Sequence, residues 1–267
     1  MTEEVSFKTR DDILLWGKEF KGEDPHSLLL LFLGLGGNAQ SKSVDYFGSA
    51  LAKKGITTIV FSARGHGKSR GLFSFQKHID DIQELEEQYS LHARKHHLSF
   101  TVAGHSISGR ALVCADVKSD VILLNPTLFR GHPRFVTLPV IRRFYLLWWN
   151  LFVFKKVSFT HFGNVYFNSL MFKRLIEQTT HQEFPTSKQE GRCLLLITSK
   201  DVVARYNDIP VRDKVKALIK KRYSASYDVL FLGLDHEFSD GSRTFMRTDQ
   251  LPKILNAINM FTRSAKK

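Results

Sequence analysis

Residues 101–109, Thr-Val-Ala-Gly-His-Ser-Ile-Ser-Gly, admit very few local folds. Leu98–Ala103 is short, apolar and uncharged, with β-branched Thr101 and Val102, and predicts a buried strand. Gly104 interrupts it, Ser106 follows two residues later, and Gly109 leads into the apolar segment Ala111–Val117, which predicts a helix. So fast a turn needs small residues around its apex, because a bulky Cβ there would collide with strand or helix. Ser106 is therefore expected in unfavourable φ/ψ space with its hydroxyl exposed, and Ile107 N–H at the start of a helix. This is the arrangement of a nucleophile elbow. An ordinary strand–loop–helix turn uses Gly and Ser too, so the motif alone leaves both readings open.

An activated serine requires a base, and the base an orienting acid. With this elbow they follow in the order Ser, acid, His, each just after a later strand. Cys193–Thr198 reads as a second buried strand, and Asp201 follows it within Ser199-Lys200-Asp201. Tyr227–Leu232 reads as another, and the loop after it presents His236. Ligand-binding groups of open α/β sheets gather at such strand ends. Asp208 lies too far beyond its strand to compete, and Asp235 directly precedes the histidine, so its side chain should point elsewhere. His78, His92, His96 and His97 lie in a charged helical stretch and are expected in solvent, while His105 should pack against the turn.

A tetrahedral intermediate needs two preorganised N–H donors. Ile107 should provide one. The apolar strand Leu28–Leu33 runs into Gly34-Leu35-Gly36-Gly37-Asn38, where glycines let backbone approach a substrate, and Leu35 N–H is the expected second donor. The glycine spacing fits neither the dinucleotide fingerprint nor a P-loop, which argues against nucleotide binding.

With these segments the chain resembles the α/β-hydrolase family, in its monoglyceride-lipase-like or serine-aminopeptidase-like branch. The resemblance rests on Leu29–Gln40, on Thr57–Ser69 with Arg64-Gly65-His66-Gly67-Lys68-Ser69, on Gly104–Gly109, and on the segments around Asp201 and His236. It implies a mostly parallel central sheet with helices on both faces and a helical cap over the active site, inserted at about residues 126–190 of a single domain spanning 1–267. Three positions depart from the pattern: Leu33 stands where members usually carry a histidine that braces the oxyanion loop, Ser62 replaces an acidic residue, and Ser108 replaces the elbow's last glycine.

Composition agrees. The chain has 267 residues, 43% of them hydrophobic, enough for one substantial core. Cys114 and Cys193 lie in apolar runs and read as small buried hydrophobes, and no metal-ligand spacing is visible; neither metal nor organic cofactor is expected. The N-terminal residues lack an apolar signal-peptide core, which predicts a cytoplasmic protein. Val5–Lys8 and Ile13–Phe20 suggest an antiparallel hairpin at the sheet edge. Ser43–Lys54, Asp80–His97, Val211–Lys220 and Phe245–Phe261 suggest covering helices.

The net charge of +13 is unevenly spread: Val121–Ile176 holds eight Lys or Arg, no Asp or Glu, and 13 aromatics. At its centre Ile141–Lys156 is an apolar run bracketed by Arg142-Arg143 and Lys155-Lys156, too short to span a membrane, which takes about 20 residues. Two readings apply: a cap helix packed on the main domain, or an interfacial surface with Trp148, Trp149 and Phe152 facing substrate or lipid and basic residues meeting an anionic membrane. The basic residues flank a greasy run rather than interleave with polar groups, which disfavours nucleic acid. The expected activity is serine-dependent cleavage of a carboxylic ester of a lipid such as a monoacylglycerol or lysolipid. A thioesterase or acyltransferase would use the same residues, and a non-catalytic binding protein on this scaffold is the alternative of a different class.

Overall fold

The computed structural model describes residues 1–128, the backbone of 156–159 and 163–166, and residues 184–264 except 186, 202–205, 207, 224–226, 236, 237, 239–245 and 247. Trp148, Trp149 and Phe152, and all of the Ile141–Lys156 run except Lys156, lie outside the described residues, as does His236.

Eight strands form one sheet: β1 (Thr2–Lys8), β2 (Leu14–Phe20), β3 (Ser27–Phe32), β4 (Ile56–Phe61), β5 (Ser99–His105), β6 (Asp120–Leu124), β9 (Cys193–Thr198) and β10 (Tyr227–Leu232), in the order β1-β2-β4-β3-β5-β6-β9-β10. The short antiparallel pair β7 (Lys156–Phe159) and β8 (Gly163–Tyr166) stands apart. Within the main sheet only β2 opposes the other strands, pairing antiparallel with both β1 and β4. Strands β1 and β2 form the expected edge hairpin, and β1 carries its charged residues at the exposed rim, where they discourage strand addition. By contrast β3, Ser-Leu-Leu-Leu-Leu-Phe, is buried along its whole length, as a central parallel strand with both faces covered must be.

Alternate residues of β3 enter opposite layers. Leu28, Leu30 and Phe32 pack with the buried faces of α2 (Phe75–Lys95), α3 (Ile107–Cys114) and α4 (Ile209–Arg222). Leu29 and Leu31 join those of α1 (Lys42–Ala52) and α5 (Leu251–Ser264). The chain passes from β3 through α1 to β4 on one side, then returns through α2 to β5 on the other. Connections of one hand placed on opposite sides of β3 cover opposite faces. The loops after β3 and β5 consequently flank the point where strand order reverses, the crevice such sheets offer to ligands.

Two helices differ from expectation. Helix α2 begins at Phe75, capped by Ser74 Oγ accepting from Lys77 N, because Phe75, Ile79, Ile82 and Leu85 form one apolar face. Helix α5 begins at Leu251. The Arg64–Ser69 signature is a structural staple. Arg64 is buried, pairs with Asp81 of α2 through Nε and Nη2 at 2.6–3.1 Å, and reaches Asp11 beyond β1 at 2.6 and 2.7 Å. These partners raise its pKa and fix the positive charge.

Candidate active site

Strand β5 ends at His105 and α3 begins at Ile107, leaving Ser106 alone to make the turn at φ 56°, ψ −117°. A non-glycine residue at positive φ is strained, and the surroundings enforce it. Ser106 N donates to Leu124 O of β6 at 2.9 Å, while Ser106 O accepts from Arg110 N at 3.2 Å and Thr127 N at 3.1 Å. Gly104 makes the turn possible, since a Cβ there would stand 2.7 Å from the backbone of Ser108 and from Leu112. Ile107 N–H belongs to the first turn of α3, where helical N–H groups lack intrahelical partners.

After β3 the chain makes the turn Gly34–Gly37, closed by Gly37 N to Gly34 O at 3.0 Å, with Gly36 at φ 86°. This turn lies directly on the elbow: a Cβ at Gly34 would sit 2.9 Å from Ser106 Cβ and 3.1 Å from His105 Nδ1. Ser106, Ile107 and the turn bearing Leu35 are thus brought together. Beyond it, Ser62 Oγ accepts from Ala39 N at 2.9 Å, so the hydroxyl at the departing position 62 anchors the chain leaving the turn.

Asp201 follows β9 and is wholly buried, whereas Asp208 is half-buried at the start of α4. Ser199 N donates to Leu232 O at 2.8 Å and Lys200 N to Leu234 O at 3.1 Å, lashing the loop after β9 to the loop after β10. Buried Tyr206 donates its hydroxyl to Pro126 O, and burial together with the Asp201 charge raises its pKa well above the usual phenol value. Phe238, two residues past His236, is buried with its ring 6.3 Å from that of His105, beside the elbow.

Some contributors were not foreseen from sequence. Asn125, at φ 43° and wholly buried, accepts from Thr198 N through Oδ1 at 2.9 Å and donates Nδ2 to Thr198 Oγ1 at 2.9 Å and to Asp235 O at 3.4 Å. Thr198 Oγ1 also donates to Asp235 O at 2.8 Å. The ends of β6 and β9 and the residue before His236 are joined by these two side chains; an Asn-Pro pair at a strand end is the signal that could have drawn attention to them. His78 corrects an expectation: it is not solvated but 3% exposed, with Nε2 2.7 Å from Ser108 Oγ. Its place on the apolar face of α2 was the available signal. His92, His96 and His97 are exposed as expected, and His105 is packed against the turn.

Neither cysteine is poised as a rival nucleophile. Cys193 is buried, with its pKa raised, and burial pushes half-buried Cys114 up to about 11. Among the described residues no cluster of three or more His, Cys, Asp or Glu could hold a metal, and no helix is long and apolar enough to cross a membrane.

The family model for serine aminopeptidase, S33, matches residues 23–159, from the approach to β3 through the elbow. The chain belongs to this family. As an S33-family member it is a serine hydrolase of the α/β fold. Asp201 and His236 lie beyond the matched span. Solved structures agree on the fold. A soluble variant of Saccharomyces cerevisiae monoglyceride lipase, in complex with a substrate analogue, has a TM-score of 0.68 at 12% identity over 100% of this chain and 96% of that one. DcsB in complex with its substrate analogue has 0.67 at 15%, over 99% of both chains. The Pyrococcus furiosus esterase Pf2001 has 0.63 at 15%, over 99% and 92%. No curated protein matches the chain.

Proposed function

We propose that this S33-family chain hydrolyses carboxylic esters of lipids bearing one accessible acyl chain, such as a monoacylglycerol or lysolipid. The observation that carries the proposal is Ser106 held at positive φ with the Gly34 turn packed against its Cβ. In this reading His236 takes the Ser106 proton as Oγ attacks the acyl carbonyl, and Asp201 orients the imidazole and stabilises its charged form. The N–H groups of Leu35 and Ile107 receive the oxyanion. The alcohol leaves with the proton from His236, an acyl-enzyme remains on Ser106, and water deprotonated by His236 releases the acid. Support for His236 comes from its neighbours: Asp235 O is held by Thr198 and Asn125, and Phe238 lies beside His105.

A lipid ester suits the chain better than a peptide. Residues 121–176 combine 13 aromatics and eight Lys or Arg with no Asp or Glu. Their aromatic and basic content fits an acyl chain and an anionic membrane surface instead.

A fluorophosphonate probe should label the wild type but not Ser106→Ala. Hydrolysis of p-nitrophenyl butyrate should fall by roughly 10⁴-fold in Ser106→Ala and in His236→Ala, with the double variant little worse. Asp201→Asn should be far more damaging than Asp208→Asn; the reverse would reassign the acid. An unlabelled wild type would favour a binding protein, and acyl transfer from a coenzyme A thioester in preference to hydrolysis would favour an acyltransferase.

A further inference from the structure

Two of the chain's departures from the family pattern meet in one hydrogen bond. Ser108 Oγ, where a glycine is usual, donates to the carbonyl of Leu33, where a histidine is usual, at 2.5 Å. The same Oγ lies 2.7 Å from His78 Nε2. A hydroxyl has one proton, and the Leu33 carbonyl can only accept, so His78 Nε2 must carry the ring proton and donate to Ser108. Burial supports this neutral tautomer by holding the His78 pKa down at about 3. The imidazole is itself wedged between Phe32, edge-on at 5.9 Å, and Phe73, tilted at 5.4 Å.

We infer that the chain His78 Nε2–H, Ser108 Oγ–H, Leu33 C=O positions the oxyanion turn, replacing a brace within the loop by one reaching it from α2 and α3. The inference rests on the functional reading above, in which Leu35 N–H receives the oxyanion. Geometry gives the tie its leverage. Leu33 is the last residue before the turn Gly34–Gly37, and Gly34 already touches Ser106. Rotation of the Leu33 carbonyl would rotate the next peptides and swing Leu35 N–H away from the point above Ser106 Oγ. Ser108 lies on the same helical turn as Ile107, so one hydroxyl references both proposed donors to a single rigid element. His78 and Ser108 touch no substrate in this account. They are positioning residues.

The test uses the full-length enzyme and two variants. Ser108→Gly removes the hydroxyl and installs the residue usual for the family. His78→Phe keeps an aromatic ring between Phe32 and Phe73 but deletes the donor. Both should lower kcat for p-nitrophenyl butyrate by roughly ten- to hundredfold, the scale of a misplaced oxyanion donor, with KM within about twofold of wild type. Affinity for an alkyl trifluoromethyl ketone, which forms a tetrahedral adduct with an oxyanion, should fall in parallel with kcat. In the Ser108→Gly background, His78→Phe should cost little more, because the donor then has no hydroxyl to orient. Amide hydrogen exchange at residues 35–37 should accelerate in both variants. Unchanged kcat, unchanged ketone affinity, additive losses or unchanged exchange would each overturn the inference. A wild type without ester hydrolysis would instead refute the functional reading, and exchange at residues 35–37 would still decide whether the tie holds the turn.

Discussion

Ser106 stores strain that its proposed role as nucleophile would use and its stability does not. The residue sits at φ 56° because β6 holds its N–H while α3 and Thr127 hold its C=O. Alanine would inherit the same conformation and strain; glycine would not. Ser106→Gly should therefore be more stable than Ser106→Ala by about 1 kcal/mol, read from paired denaturant melts, although both are expected to be inactive. Equal midpoints would mean that the turn relaxes when the hydroxyl is gone. This residue was legible in the sequence because Gly104 and the small residues around it leave the chain one way to turn. Asn125 and His78 were not, because their roles depend on partners distant in sequence: Thr198 and Asp235 for the first, Ser108 for the second.

At the scale of elements, α2 joins two buried polar systems, Arg64 with Asp81 near its middle and His78 with Ser108 near its start. His78 is held neutral, with a folded pKa of about 3 against an ordinary 6.5. Below pH 6.5 the unfolded chain binds a proton that the folded chain refuses, so this group's contribution to stability is present above 6.5 and lost as pH falls toward 3. The slope for one such site approaches about 1.4 kcal/mol per pH unit. His78→Phe should flatten that acid limb in urea melts taken from pH 7 to pH 4, whatever it does to stability at pH 7. Strands β9 and β10 have the bounds that the sequence predicts, since uninterrupted apolar runs between polar loops have few alternatives. The start of α2 is not legible in the sequence because Phe73–His78 mixes aromatic and polar residues, and only the packed sheet decides which face is inside. The segment Ile141–Lys156, proposed as an interfacial element, makes a separate claim. Trp148→Ser with Trp149→Ser should weaken sedimentation with phosphatidylserine vesicles and slow turnover of aggregated long-chain ester, while hydrolysis of a soluble short-chain ester survives. Wild-type binding should weaken as salt rises from 0.05 to about 0.5 M. Equal losses on both substrates would place the tryptophans against the core.

Across the whole molecule, the proposed catalytic residues are split along the chain. The proposed nucleophile and both proposed oxyanion donors precede residue 128; the proposed acid and base follow residue 190. Strands β6 and β9 are hydrogen-bonded neighbours, in register from Val121 with Cys193 to Leu124 with Leu196, and Arg192 closes their lower end on Asp120 at 2.6 Å. Arg110 of α3 meets both margins of the intervening segment. Its Nη1 donates to Leu128 O at 2.5 Å, and its guanidinium lies 4.8 Å over the Phe184 ring. Leu128 and Phe184, the described residues on either side of that segment, thus both lie against Arg110. Replacing residues 129–183 by a short Gly-Ser linker should leave the amides of β3, β5, β6 and β9 protected from exchange and Ser106 reactive to a fluorophosphonate. Closing so short a loop costs only a modest entropy. Loss of protection across the sheet would refute this. Arg110 then acts as the rim of a socket: if residues 129–183 form the proposed cap, the chain plugged in between Leu128 and Phe184 can change what the enzyme accepts without renegotiating how the enzyme folds.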